Sequence, residues 1–213
     1  MNATDACVFP YPHGDSSTMR MALEAKMLGF DSMVAIDHPG FSTGDFHVIP
    51  GIIINVRTIS ALGQALKRSN REGMIVLVNA GDTTFNRAAL GMKGVRVLRN
   101  VYVTDRHSFD HVSARIATDK SVAIDIDLYP IIHFRGVQRQ RVLERYYDVI
   151  RLQERFGFDI TLSSGATSIL DQRSPAEMIA LCSLFGMNES GASHALSSVA
   201  RILKPRPLVE VVS

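Results

Sequence analysis

The chain has 213 residues, 46% hydrophobic and 21% charged, which suits one globular domain with a substantial, mostly aliphatic core. No apolar run approaches the roughly 20 residues that span a bilayer. The start, MNATDACVFPYP, shows no basic region leading into an apolar stretch, so a membrane protein, a secretory leader and a disordered chain are all set aside. The net charge of +2 is uninformative until its distribution is read.

Taken in chain order, short β-rich runs alternate with amphipathic stretches. Strands are expected at Asp5–Phe9, Met33–Asp37, Val48–Val56, Met74–Asn79, Val95–Leu98, Val122–Asp127 and Asp159–Ser163. GIIINV and MIVLVN are continuously apolar, the pattern of parallel strands covered on both faces. Between them, Ser17 or Thr18 caps a helix to Leu28, stopped by Gly29. Asp82 caps a helix containing Asn86–Met92, and Ser108 opens Phe109–Ala117. Ser174-Pro175-Ala176-Glu177 is the strongest start, with Ser at the cap, Pro at the first helical position and Glu three residues after the cap. That helix runs through Leu184 to Gly186. Asn188 caps a last helix to about Leu203, and Leu208–Val212 is a short strand. Seven or eight β/α units over residues 1–213, without a composition break, describe a single domain. The missing Gly-rich first turn favours a TIM-like (β/α) barrel of irregular geometry and mostly parallel strands over an open sheet.

Cys7 and Cys182 fit no metal spacing and read as free thiols of a reducing, cytoplasmic compartment, Cys182 within the core. In a barrel, function lies at the carboxyl ends of the strands, here Cys7, Phe9, His13, Asp37, His38, Asn79, Asp125, Asp127, Ser163 and Ser164. Asp37, His38 and His13, with the two aspartates of VAIDID, have the chemistry of a two-metal phosphoesterase. The arrangement resembles the polymerase-and-histidinol-phosphatase (PHP) superfamily, whose motifs are His-x-His, Asp-His and Gly-x-Glu. Only Asp37-His38 survives. Cys7 and Phe9 stand in place of the two histidines, and Ile53 in place of the glutamate. Phe and Ile donate no lone pair, so the ligand count falls below that of a competent site, and no metal is expected. The plainer reading of Asp125 and Asp127 is strand alternation, with one acid bonding loop backbone and the other meeting an Arg.

Of the 23 bases, 18 are Arg, whose planar fork suits phosphate and carboxylate. Residues 56–115 hold ten bases against four acids, and Phe85–His107 carries Arg87, Lys93, Arg96, Arg99 and Arg106 with the single acid Asp105. These charges are expected to gather on one rim and to meet phosphates. The bases from Arg135 to Arg155 are interleaved with Glu144, Asp148 and Glu154, which reads as a salt-bridged helix face.

The last third of the chain resembles the ribonuclease P protein component 3 family. The matching segments are Ser164-Gly-Ala166-Thr-Ser168, Asp171-Gln-Arg173-Ser174-Pro175 and Gly186-Met187, followed by a small helix rich in Ala and Ser. Upstream, Asn86-Arg87-Ala-Ala, Phe109-Asp110 with Ala114-Arg115, and VAIDIDL extend the likeness along the chain. The resemblance implies a TIM-like barrel subunit of archaeal ribonuclease P, which removes 5′ leaders from precursor tRNA. It also implies that catalysis belongs to the RNA, that Mg²⁺ is held by RNA phosphates, and that the protein binds no cofactor. The implied partners are ribonuclease P RNA, component 2 in a heterotetramer, the other ribonuclease P proteins and precursor tRNA, with no membrane. Arg173 is then the first candidate for an RNA contact, followed by Arg87, Arg96, Arg99 and Arg106.

Overall fold

The computed structural model describes residues 2–69 and 73–203. Its elements run β1 (Thr4–Val8), α1 (Thr18–Met27), β2 (Ser32–Ile36), β3 (Phe41–Thr43), β4 (Phe46–Ile54), α2 (Ile59–Ser69), β5 (Ile75–Asn79), α3 (Thr83–Gly91) and β6 (Val97–Arg99). There follow α4 (His111–Asp119), β7 (Ala123–Asp127), α5 (Tyr129–His133), α6 (Gly136–Phe156), β8 (Ile160–Ser163), α7 (Pro175–Cys182), α8 (Glu189–Leu196) and α9 (Ser198–Leu203). The parallel order is β1-β2-β4-β5-β6-β7-β8, and β3 folds back antiparallel on β4. The sheet nearly closes. Phe9 N–H donates to Ala166 O at 2.8 Å and Gly165 N–H to Cys7 O at 3.1 Å, joining the first strand to the loop after the last. This is the expected TIM-like barrel.

Strand parity builds two apolar compartments. Val34, Ile36, Ile75, Leu77, Val97 and Ala123 belong to the cluster inside the barrel. Their neighbours Met33, Ala35, Val76, Val78, Leu98 and Ile124 pack outward with helix residues such as Leu62, Leu90 and Tyr146. Each large aliphatic side chain so buried stabilises the fold by roughly 1.5–3 kcal/mol. Val199 and Ile202 of α9 join the inner cluster, so this helix closes the amino-terminal end of the barrel. The other end is left for polar groups.

The caps account for most helix starts. Ser17 accepts from Arg20 N–H, Asp82 from Phe85 N–H and Asn188 from Gly191 N–H, and Ser174 with Glu177 forms a reciprocal capping box. Two expectations need correction. Ser108 does not open α4, because its hydroxyl is bonded to Thr104 and the side chain of Asp110 accepts from Ser113 N–H at 3.0 Å. The last helix is two: the chain breaks at Ser197, whose hydroxyl donates to His194 O, and α9 sets off to reach the barrel interior. The hairpin strand β3 and the helices α2 and α5 carry no signal that the sequence reading singled out. The proposed strand Leu208–Val212 lies outside the described residues.

Candidate functional site: the barrel mouth and an arginine cleft

At the carboxyl ends of the strands, β6 delivers Arg99 into the barrel, where only 2% of the residue is exposed. Its Nη2 donates to Asp127 Oδ2 at 2.5 Å, its Nη1 reaches Cys7 Sγ at 2.7 Å, and its Nε lies 3.5 Å from Asp125 Oδ2. The guanidinium also sits 5.4 Å from the centroid of the Phe9 ring. Cys7 and Phe9, which replace the two expected histidines, therefore both contact a resident cation. Burial disfavours charge on Arg99, but the neighbouring Asp127 and Asp125 raise its pKa and keep it protonated.

The neighbouring acids are held differently. Asp125 accepts from Thr161 Oγ1 and Ser163 Oγ, both at 2.8 Å. Burial pushes its pKa up to about 6 despite Arg99. Asp5 accepts from Ser164 N–H at 2.9 Å, and burial raises it to about 7. Burial likewise raises Cys7, which stays a thiol. Asp127 accepts from Tyr129 N–H at 3.0 Å, and its peptide oxygen receives the buried Tyr146 hydroxyl at 2.8 Å. The alternation read from VAIDID thus holds. Asp127, however, meets both a loop N–H and the Arg, while Asp125 is served by hydroxyls. Gly165 closes over this pair at φ +64°, where a Cβ would stand 2.5 Å from Asp127 Oδ1.

The alternative metal set does not assemble. His13 Nε2 and Asp37 Oδ2 are 3.0 Å apart at the rim. The ring of His38 is turned to Thr18 Oγ1 at 3.0 Å and Tyr11 O at 2.7 Å. Among the described residues no three His, Cys, Asp or Glu side chains converge to hold a metal ion. The mouth carboxylates already face a guanidinium, so the donor set does not fit a metal centre.

The five arginines named from the sequence do not share a rim, and Arg99 is a correction, because strand parity turns it inward. Arg96 lies before β6 at the opposite end of the barrel, beside Gly94 and Ile202 in a cavity of about 840 Å³. Arg173 donates from Nη1 to Leu170 O at 2.9 Å and Gln172 O at 2.8 Å, which stabilises the turn before α7. Arg87 pairs with Asp110 at 2.5 Å. Partial burial works against charge on Asp110, but Ser113 N–H and Arg87 hold it at about 2. Arg106, with 71% of its side chain exposed, forks onto Asp148 at 3.0 and 3.3 Å. Around it, Arg151 and Arg155 of α6 line one cleft of about 290 Å³, with His107, Phe109 and the acids Asp110 and Asp148. Arg151 and Arg155 are spaced four apart, one helical turn, a signal that the reading of this helix as salt-bridged passed over.

The family model for RNase P subunit p30 matches residues 2–207. The chain belongs to that family. It is 30% identical over 198 residues to ribonuclease P protein component 3 of Methanothermobacter thermautotrophicus, covering 85% of this chain and 81% of that protein. It is 30% identical over 215 residues to the component 3 of Methanosarcina acetivorans, covering 95% and 90%. In fold it is similar to a chain from the cryo-EM structure of archaeal ribonuclease P with mature tRNA. The TM-score there is 0.79 at 18% identity, with 98% of each chain covered. It is similar also to the histidinol phosphate phosphatase of Lactococcus lactis, solved with zinc, L-histidinol and phosphate. That match has a TM-score of 0.59 at 12% identity and covers 86% and 92%. The chain is thus a subunit of ribonuclease P, the tRNA-processing endoribonuclease, of the component 3 family, and the mouth of its barrel holds an arginine.

Proposed function

We propose that this subunit supplies no catalytic group, and that it holds the catalytic RNA of ribonuclease P through the cleft between α6 and the loop that precedes α4. The supporting observation is the convergence of Arg106, Arg151 and Arg155 on one cleft. A folded catalytic RNA crowds phosphates together, and fixed guanidinium groups lower the Mg²⁺ required to keep that geometry. In this reading Mg²⁺ sits on RNA phosphates, and the protein binds no cofactor. Arg173 and Arg87 are secondary contacts, since each is bonded and half-buried, whereas Arg106, Arg151 and Arg155 are exposed.

Component 2 is the proposed protein partner, in a heterotetramer, and precursor tRNA and the other ribonuclease P proteins complete the assembly. A protein contact is supported by α1, where Met19, Leu23 and Met27, spaced four apart, lie on the exposed side of the helix, Met27 at 77% exposure. The subunit would work in the cytoplasm; among the described residues no helix is long and apolar enough to cross a membrane.

The test is precursor-tRNA cleavage at low Mg²⁺ by the cognate RNA with component 2, with and without this protein. Wild type is expected to restore cleavage, and Arg151→Ala/Arg155→Ala to lose most of that stimulation while remaining folded. Full stimulation by the double variant would remove the cleft from the account. No stimulation by wild type would remove the supporting role itself.

A further inference from the structure

Above Arg99 the barrel mouth is a cavity of about 440 Å³, within the size range of small-ligand sites. Its lining combines two kinds of group. Asn55, Asn79 and Asn100 supply amides, each both donor and acceptor, and Phe9, Tyr102 and Tyr129 supply aromatic rings, with one face of Phe9 under Arg99 and one of Tyr129 stacked on His133. Asn100 Nδ2 donates to Asn79 Oδ1 at 3.1 Å, which orients the pair, and Asn100 Oδ1 is buried with no hydrogen-bond partner among the described residues. Asn100 and Asp37, both in this lining, stand at φ +59°. Such left-handed backbone is available to Asn and Asp and is found at ligand clamps.

Charge decides what enters. The carboxylate of Asp127 is met by Arg99, and that of Asp37 by His13. The one Arg in the lining is neutralised by buried acids, so a phosphate finds no free guanidinium there and faces two carboxylates. A cationic side chain finds the Asp127 carboxylate taken by Arg99 and the Asp37 carboxylate hydrogen-bonded to His13. What remains suited is a neutral, planar group with hydrogen-bonding edges and a π face.

From this the geometry points to a recognition pocket for a single unstacked nucleobase of an RNA. Splayed bases are read in this way, by amide contacts to their edges and by aromatic faces. The RNA source rests on the reading above, in which the subunit works within ribonuclease P. Two strands of RNA can supply the base, ribonuclease P RNA and precursor tRNA, and the experiment separates them.

The first arm titrates the full chain with AMP, GMP, CMP and UMP, and with ribose 5-phosphate, following the side-chain amides of Asn79 and Asn100 by NMR. At least one nucleotide is expected to shift them saturably, and ribose 5-phosphate to leave them unmoved. Equal shifts with ribose 5-phosphate, or none with any nucleotide, would overturn the inference. The second arm maps base-specific chemical modification of both RNAs in the reconstituted holoenzyme. Wild type is expected to protect one position in one of the two RNAs. Asn55→Trp, which fills the mouth from an exposed position and adds the chain's only Trp, is expected to expose that position again, and Asn55→Ala is expected to weaken the protection at least threefold. If wild type stimulates cleavage while no base is protected, the pocket inference fails and the supporting role stands. If wild type fails to stimulate, it is the role that fails. A crosslink from the mouth to a protein side chain in place of a base also counts against the pocket.

Discussion

The barrel mouth and the arginine cleft beside α6 use the same pair of residue types under opposite conditions. Arg99 with Asp127 is shut inside the barrel, and Arg106 with Asp148 lies on the surface. Inside, desolvation makes an unpaired charge costly, so arginine and acids form one inseparable unit. Outside, water and salt screen the pair, and the guanidinium can exchange its carboxylate for a phosphate at little cost. Identical chemistry therefore serves architecture in one place and is free for binding in the other. Burial, which a count of arginines does not register, separates the two.

The largest break in this comparison is Arg99→Ala, which strands Asp127 and Asp125 without a counter-ion. Urea unfolding is expected to show a loss of about 3–5 kcal/mol, whereas Arg106→Ala should stay within about 1 kcal/mol of wild type. Equal losses would mean that the mouth is solvated and the comparison empty.

Next in size is a pH effect confined to the interior. Folded Asp5 and Asp125 hold their protons up to about 7 and about 6, against an ordinary carboxyl value of 3.8. The folded state then binds more protons than the unfolded chain between those values. This contribution to stability is complete below about pH 4 and is lost as pH rises through about 6 to 7. Asp5→Asn, measured by urea unfolding from pH 4 to 8, should flatten that decline; an unchanged slope would place Asp5 in contact with water. Asp110 has the reverse sign on the outer side, contributing stability above pH 3.8 that is lost as pH falls towards 2.

A smaller effect is expected at Gly165, where a side chain meets both a left-handed backbone and Asp127. Gly165→Ala should cost about 1–3 kcal/mol and leave the salt slope of RNA binding unchanged in the fraction that remains folded.

Much of the barrel was legible in the sequence. Continuous apolar runs named the seven parallel strands, and Ser17, Asp82, Ser174 and Asn188 marked helix starts through their cap chemistry. Substitution of the histidines by Cys7 and Phe9 and of the glutamate by Ile53 was also readable residue by residue. The partner that Cys7 and Phe9 share was not, because Arg99 is 92 residues from Cys7. Yet a signal existed. Val97 and Arg99 share one parity of a strand whose Val97 packs inside the barrel, so Arg99 had to point inward, whereas the sequence reading grouped it with Arg96 by charge alone. The pairing of Arg106 with Asp148, 42 residues apart, depends on residues 101–103 and α4, which flank Arg106, packing on α6, and no local pattern encodes it. For Arg151 and Arg155 the helical spacing was present, but the interleaved acids concealed it.

The most direct test of the division between mouth and cleft is the salt dependence of binding to ribonuclease P RNA. Wild type is compared with Arg106→Ala/Arg151→Ala/Arg155→Ala and with Arg99→Lys. Each lost phosphate contact should lower the slope of log affinity against log salt by roughly 0.7–0.9. The account predicts a slope flattened by about two such contacts or more in the triple variant and unchanged in folded Arg99→Lys. A wild-type slope in the triple variant, or a flattened one in Arg99→Lys, would contradict it.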